Sequence, residues 1–212
     1  MNNYTWGDIQ IESLKKMFLN NDNITIDKLD EYKSNKKYKT YLFAMPQACN
    51  EAINYITNLI PVIKSYELTI DKDRIDLSTL MEDFKCVQNI ITTKRWNMET
   101  ENIIKFDDAT GTAIIYYEAN PKIIDSGTEI SEKIEINKDC VRYIPLYIAA
   151  ELYKDDDLTL STVYMNEFMN NIGTIANRTS FVVNNSINPI YTIEGWIKCI
   201  AYLLKQRNII MK

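Results

Sequence analysis

Between residues 139 and 171, apolar positions recur at steps of three and four. Val141, Ile144, Ile148, Ala149 and Leu152 fall on one face of a 3.6-residue period. Tyr143, Tyr147 and Tyr153 put aromatic surface on the other faces, so little of this helix is polar. Such a helix is expected at the centre of a fold. Pro145 fits only if regular hydrogen bonding begins near Ile144, because a first-turn proline loses no helical donor. Lys154-Asp155-Asp156-Asp157 follows. Asp156 or Asp157 is placed to cap a second helix, which carries Leu160, Val163, Tyr164 and Phe168. The short connection makes the two helices antiparallel neighbours.

The same period appears upstream. Residues 5–19 read as a helix with Thr5 and Asp8 as a capping box and a stripe of Trp6, Ile9, Leu14, Met17 and Phe18. Residues 27–35 form a polar connection with room for one helical turn. A long helix follows over 37–60, its stripe made by Leu42, Met45, Cys49, Ala52, Ile53, Ile56 and Ile60. Asn50, Glu51, Asn54 and Asn58 fall on its other faces, and Pro46 predicts a kink or a restart.

After Pro61 the period shortens. Residues 66–71 alternate as a strand, and 77–83 have room for a helical turn. Residues 87–93, 103–107 and 112–118 are short strands rich in β-branched and aromatic side chains. Residues 107–111 read as a hairpin turn between the last two, and 133–136 as a final strand. In the tail, 184–189 form a loop and 191–204 read as a helix. FVVNN from Phe181 and YTIEGWI from Tyr191 also read as strands. The expected fold is mainly α: a helical bundle core of 1–61 and 138–172, a small β-rich insertion at 62–137, and an extended C-terminal arm at 173–212.

Composition narrows the function. The chain has 212 residues, enough to bury a core without staples, and only five glycines and five prolines, too few for a loop-dominated chain. A net charge of −5 argues against tight nucleic-acid binding, which needs clustered cations. Histidine is absent, which removes the commonest general base and metal ligand, and with them histidine-paired serine or cysteine nucleophiles. Cys49, Cys86, Cys140 and Cys199 are far apart and form no CxxC pair, so reduced thiols in a reducing compartment are expected. MNNYTWGDIQ lacks the pattern of a signal peptide, and no apolar run reaches membrane-spanning length. A soluble protein with no membrane contact is expected.

No phosphate-binding, nucleophile-elbow or zinc-protease motif occurs. Carboxylates are plentiful, but no spacing singles out a catalytic pair. The three consecutive aspartates lack the alternate ligands, glycine and closing glutamate of a calcium loop, so they read as a helix cap. Arg95-Trp96 reads as a hairpin anchor, and Tyr116-Tyr117 as a pair split between the two faces of a strand. No enzyme activity, metal or cofactor is expected.

TWGDIQ at the start, Met45-Pro46-Gln47-Ala48 with Glu51-Ala52, YYEANPKII, and above all IPLYIAAELYKDDD followed by LSTVYMNEFMNNI resemble the head–tail connector (adaptor or head-completion) proteins of tailed bacteriophages. The similarity covers roughly residues 4 to 172. It implies a structural virion protein of the neck, made in the host cytoplasm. The protein would form a homo-oligomeric ring, usually twelve-fold, beneath the portal protein. The ring would extend the DNA channel, let DNA pass without specific binding, and seat the next neck or tail-completion protein. By that analogy the C-terminal arm docks on the portal, with Arg178, Phe181, Tyr191 and Trp196 as candidates. Fourteen tyrosines suit the interfaces such a ring needs. Two other readings compete. One is a small ligand-binding or regulatory module of a mobile element, with a pocket framed by Trp96, Tyr116 and Tyr117. The other is a histidine-free hydrolase working with carboxylates.

Overall fold

A computed structural model describes residues 4–18 and 24–186, with side chains as far as Thr179. The chain divides into two compact units, Met1–Gly173 and Thr174–Lys212.

The first unit opens with α1 (Trp6–Met17). Thr5 and Asp8 form the expected capping box. The Asp8 N–H donates to Thr5 Oγ1 at 3.3 Å, and the Thr5 N–H donates to Asp8 Oδ2 at 2.9 Å. The next two orphan donors of the helix start are met from another segment. The Trp6 N–H donates to the Glu132 carbonyl and the Gly7 N–H to the Ile130 carbonyl, both at 2.8 Å. A 3-10 turn (Ile26–Lys28) leads into α2 (Leu29–Ser34), and Asn35 caps α3 (Lys36–Leu59). The α3 stripe of Leu42, Met45, Cys49, Ala52, Ile53 and Ile56 is buried as the periodicity requires. Of the kink or restart expected at Pro46, the restart does not occur: α3 runs through it as one helix.

Downstream, α4 (Lys138–Val141) is followed by α5 (Ile144–Leu152), which begins at Ile144 with Pro145 in its first turn. Ile144, Leu146, Ile148, Ala149 and Ala150 are all buried, and α5 packs on both α1 and α3. It is the central helix of the core. Asp157 stands before α6 (Leu158–Ser186), and its Oδ1 accepts from the Leu160 N–H at 2.9 Å. Ser161 Oγ donates to the Ala150 carbonyl at 2.8 Å, and the Phe168 ring meets Tyr147 further back on α5. Advancing along α6 therefore retreats along α5, the antiparallel arrangement that the short turn dictates. Phe168 also meets Tyr55 of α3, and Tyr164 donates to the Lys16 carbonyl at 2.9 Å.

The expectation of a mainly α fold is wrong. The structure is about 49% helix and 22% strand, an α/β mix. Six strands form between the helices: β1 (Ile63–Ile70), β2 (Arg74–Asp76), β3 (Phe84–Thr92), β4 (Trp96–Met98), β5 (Ile103–Phe106) and β6 (Gly111–Ala119). They make two three-stranded antiparallel sheets, ordered β1-β6-β3 and β2-β5-β4. Both sheets feed one buried cluster that includes Leu68, Ile70, Leu77, Ile104, Phe106 and Ile115. This segment thus has its own core. The alternating pattern missed β2 and β4 because three-residue strands with Arg74, Asp76 and Asn97 carry almost no period-2 signal.

Two local expectations also fail. Residues 107–111 do not close a hairpin, because β5 and β6 lie in different sheets. Gly111, with φ of 122°, turns the chain from one sheet to the other in a backbone region that favours glycine. Residues 133–136 form no strand beyond a single bridge between Lys133 and Thr5. The carbonyls just before it, of Ile130 and Glu132, serve the start of α1. In the second unit, residues 174–186 are described and lie on α6. The strand reading of FVVNN and the loop reading at 184–186 are therefore replaced by helix.

Candidate interaction surfaces

Of the four docking candidates, only Arg178 has a described side chain. Arg178 is exposed on α6. Phe181 lies on the same helix, and its side chain is outside the described part. Tyr191 and Trp196 lie outside the described residues altogether, as does Cys199.

The pocket framed by Trp96, Tyr116 and Tyr117 does not form. Trp96 is on β4 and the tyrosines are on β6, in the other sheet. Tyr117 is buried in the shared core, and Tyr116, on the opposite face, is half-buried, the split that strand alternation predicts. The Tyr117 hydroxyl donates to Asp83 Oδ1 at 3.0 Å, while Asp83 Oδ2 accepts from Lys64 at 2.8 Å. Lys64 also reaches Glu135 at 3.0 Å, so this cluster clips the first sheet to the segment returning to the helices. Burial alone would raise the Asp83 pKa, but the bonds from Lys64 and Tyr117 outweigh it and hold the carboxyl below the usual aspartate value.

The aspartate run is used structurally. Besides the Asp157 cap, Asp156 Oδ2 accepts from Tyr41 of α3 at 2.7 Å. That bond, with burial and the Asp156 charge behind it, pushes the Tyr41 phenol up to about 12. Among the described residues no group of three His, Cys, Asp or Glu side chains could hold a metal ion. Burial pushes the Cys49 thiol up to about 12 and the Cys140 thiol up to about 11, the opposite of an activated nucleophile. No described helix is long and apolar enough to cross a membrane.

A cleft of about 220 Å³ opens between α1, α3 and the 125–130 loop. Trp6, Leu42, Phe43, Pro46 and Ile130 give it apolar walls, and Gln10, Lys33, Lys39 and Asp125 add polar groups. The loop is pinned at its start by Asn50, whose amide bonds both backbone groups of Ile124, at 2.7 and 2.9 Å. Phe43 is 80% exposed at the cleft. The sequence reading passed over both Phe43 and Gln10; the available signals were an aromatic one step off the α3 stripe and a lone amide in the apolar stripe of α1.

Exposed apolar side chains occur on a second face. Leu158 and Met169, eleven positions apart on α6, lie within about 20° of each other around the helix. Tyr41, which touches the turn before Leu158, and Phe43 are about 200° apart around α3. Phe43 and the turn that starts α6 therefore lie on opposite sides of α3. The chain matches no family model and no curated protein.

Proposed function

We propose that this chain is a structural protein of the bacteriophage neck. Copies of it would form a ring beneath the portal, extend the DNA channel, and connect the filled head to the tail. What supports the reading is the pair of separate apolar faces, Phe43 with Ile130 on one side and Leu158 with Met169 on the other. A closed ring is built from head-to-tail contacts, and these need two different patches on each subunit. The net charge of −5 suits a channel that DNA must traverse without sticking. The role needs no catalytic group, metal or cofactor. Arg178 and the arm beyond it remain the proposed portal contact.

The test is co-assembly. Purified chain is mixed with the portal ring of the phage to which the proposal assigns it and observed by negative-stain microscopy and mass photometry. A second ring stacked on the portal, lost in a Phe43→Asp, Leu158→Asp double variant that still folds, is the expected result. Failure to bind portal under every assembly condition would remove the reading.

A further inference from the structure

We propose that the cleft between α1, α3 and the 125–130 loop binds a planar aromatic carboxylate whose ring carries an N–H or O–H donor, the chemistry of an indole carboxylate. The inference goes beyond the neck reading and does not depend on it.

Size comes first. A cleft of about 220 Å³ is below the usual range of drug-sized pockets, roughly 300–1,000 Å³, and fits one fused ring with a short tail. Its walls suit such a ring, with Trp6 and Phe43 to pack against aromatic faces and Leu42, Pro46 and Ile130 to complete the apolar lining. These walls are held in place. The N–H groups of Trp6 and Gly7 bind the carbonyls of Glu132 and Ile130, and Asn50 holds Ile124 from the other end of the loop.

Gln10 supplies the specific contact. It lines the cleft, is only 5% exposed, and its Oε1 has no hydrogen-bond donor. A buried acceptor without a donor is unfavourable, so a ligand that brings a ring N–H or O–H to it gains a bond that the protein alone leaves unmade. Oε1 is itself screened from solvent, so binding includes a small shift of the lining.

The cations set the sign of the tail. Lys39 lines the cleft and has no ion pair among the described residues, and Lys33 beside it is held by Asp30 at 3.0 Å. Asp125 is engaged in its own turn, where Oδ1 accepts from the Gly127 N–H at 2.9 Å and from Thr128 Oγ1 at 3.0 Å. An anionic tail therefore meets an unpaired cation in Lys39, whereas a cationic one meets a carboxylate whose Oδ1 is already hydrogen-bonded within its own turn.

The experiment titrates the full chain with indole-3-propionate by calorimetry and by NMR. Two analogues serve as comparisons: 1-methylindole-3-propionate, which lacks the donor, and tryptamine, which carries a cation. Saturable one-to-one binding is expected, weakened at least about fivefold by N-methylation and weakened again in tryptamine. Gln10→Leu should erase the difference between the indole and its N-methyl analogue, with the fold checked by its melting curve. Lys39→Ala should erase the preference for the carboxylate. Absence of saturable binding at millimolar indole-3-propionate would overturn the proposal. So would binding that neither substitution changes.

Discussion

Gln10 lies in the buried stripe of α1 with an unpaired acceptor, and its removal should show. Leucine conserves the volume and deletes the unmet oxygen, so Gln10→Leu is expected to stabilise the protein by about 1 kcal/mol. For a chain of this size that is roughly a 2–4 °C rise in melting temperature, and a fall would contradict the assignment. Gly7 gives the opposite result. A Cβ there would lie 2.8 Å from Ile26 Cδ1 and 3.0 Å from the Ile130 carbonyl oxygen. Alanine improves helix propensity by up to about 1 kcal/mol. The oxygen is fixed by its bond to the Gly7 N–H, however, so the clash wins and Gly7→Ala should destabilise by about 1–2 kcal/mol in chemical denaturation. Cys49 and Cys140, buried and held protonated, should resist a thiol reagent at pH 8 until the chain unfolds, as peptide mapping of the labelled sites would show. The capping pair Thr5–Asp8 and the Cys49 position were legible in the sequence because each depends on neighbours within a few residues. The partners of Gly7 and Asn50 were not, because they lie more than 70 positions away in the 124–132 segment.

Among the elements, the clip of Asp83, Lys64 and Tyr117 ties the first sheet to the chain that returns to the helices. The Asp83 carboxyl is held below its unfolded value. Its contribution is therefore whole above the ordinary aspartate pKa of about 3.9 and is lost as pH falls through the lower folded value. Asp83→Asn should lower stability at pH 7 and flatten the loss between about pH 5 and 3, as urea melts across that range would show. An equal loss in both proteins would mean that the clip contributes nothing. The Asp157 cap on α6 is a simpler case: Asp157→Ala should cost about 1 kcal/mol. The helices α1 and α3 were readable because burial of one stripe leaves a 3.6-residue signature, and α5 because a central helix is apolar nearly all round. The two-sheet module was only half readable. Which strands pair is set by contacts between distant segments, and the run 107–111 has the composition of a hairpin turn although it joins two sheets.

For the molecule as a whole, the mainly α reading overlooked two strands and with them the mixed α/β character of the protein. Its cleft was not legible, since Gln10, Phe43 and Ile130 come from three separated stretches. Nor was the long reach of α6 to Ser186, because Phe181-Val182-Val183 has the β-branched and aromatic composition of a strand and Asn184-Asn185-Ser186 that of a turn. The neck reading rests on two apolar faces and an acidic, motif-poor chain, and it speaks about a particle more than about a fold. The most direct measurement is therefore made on particles: interrupt the gene in the phage genome to which the proposal assigns it, and image the lysate by electron microscopy. The account predicts free tails beside heads that have lost or leak their DNA, with infectivity restored by supplying the intact chain. Complete, tailed, infectious particles would contradict it.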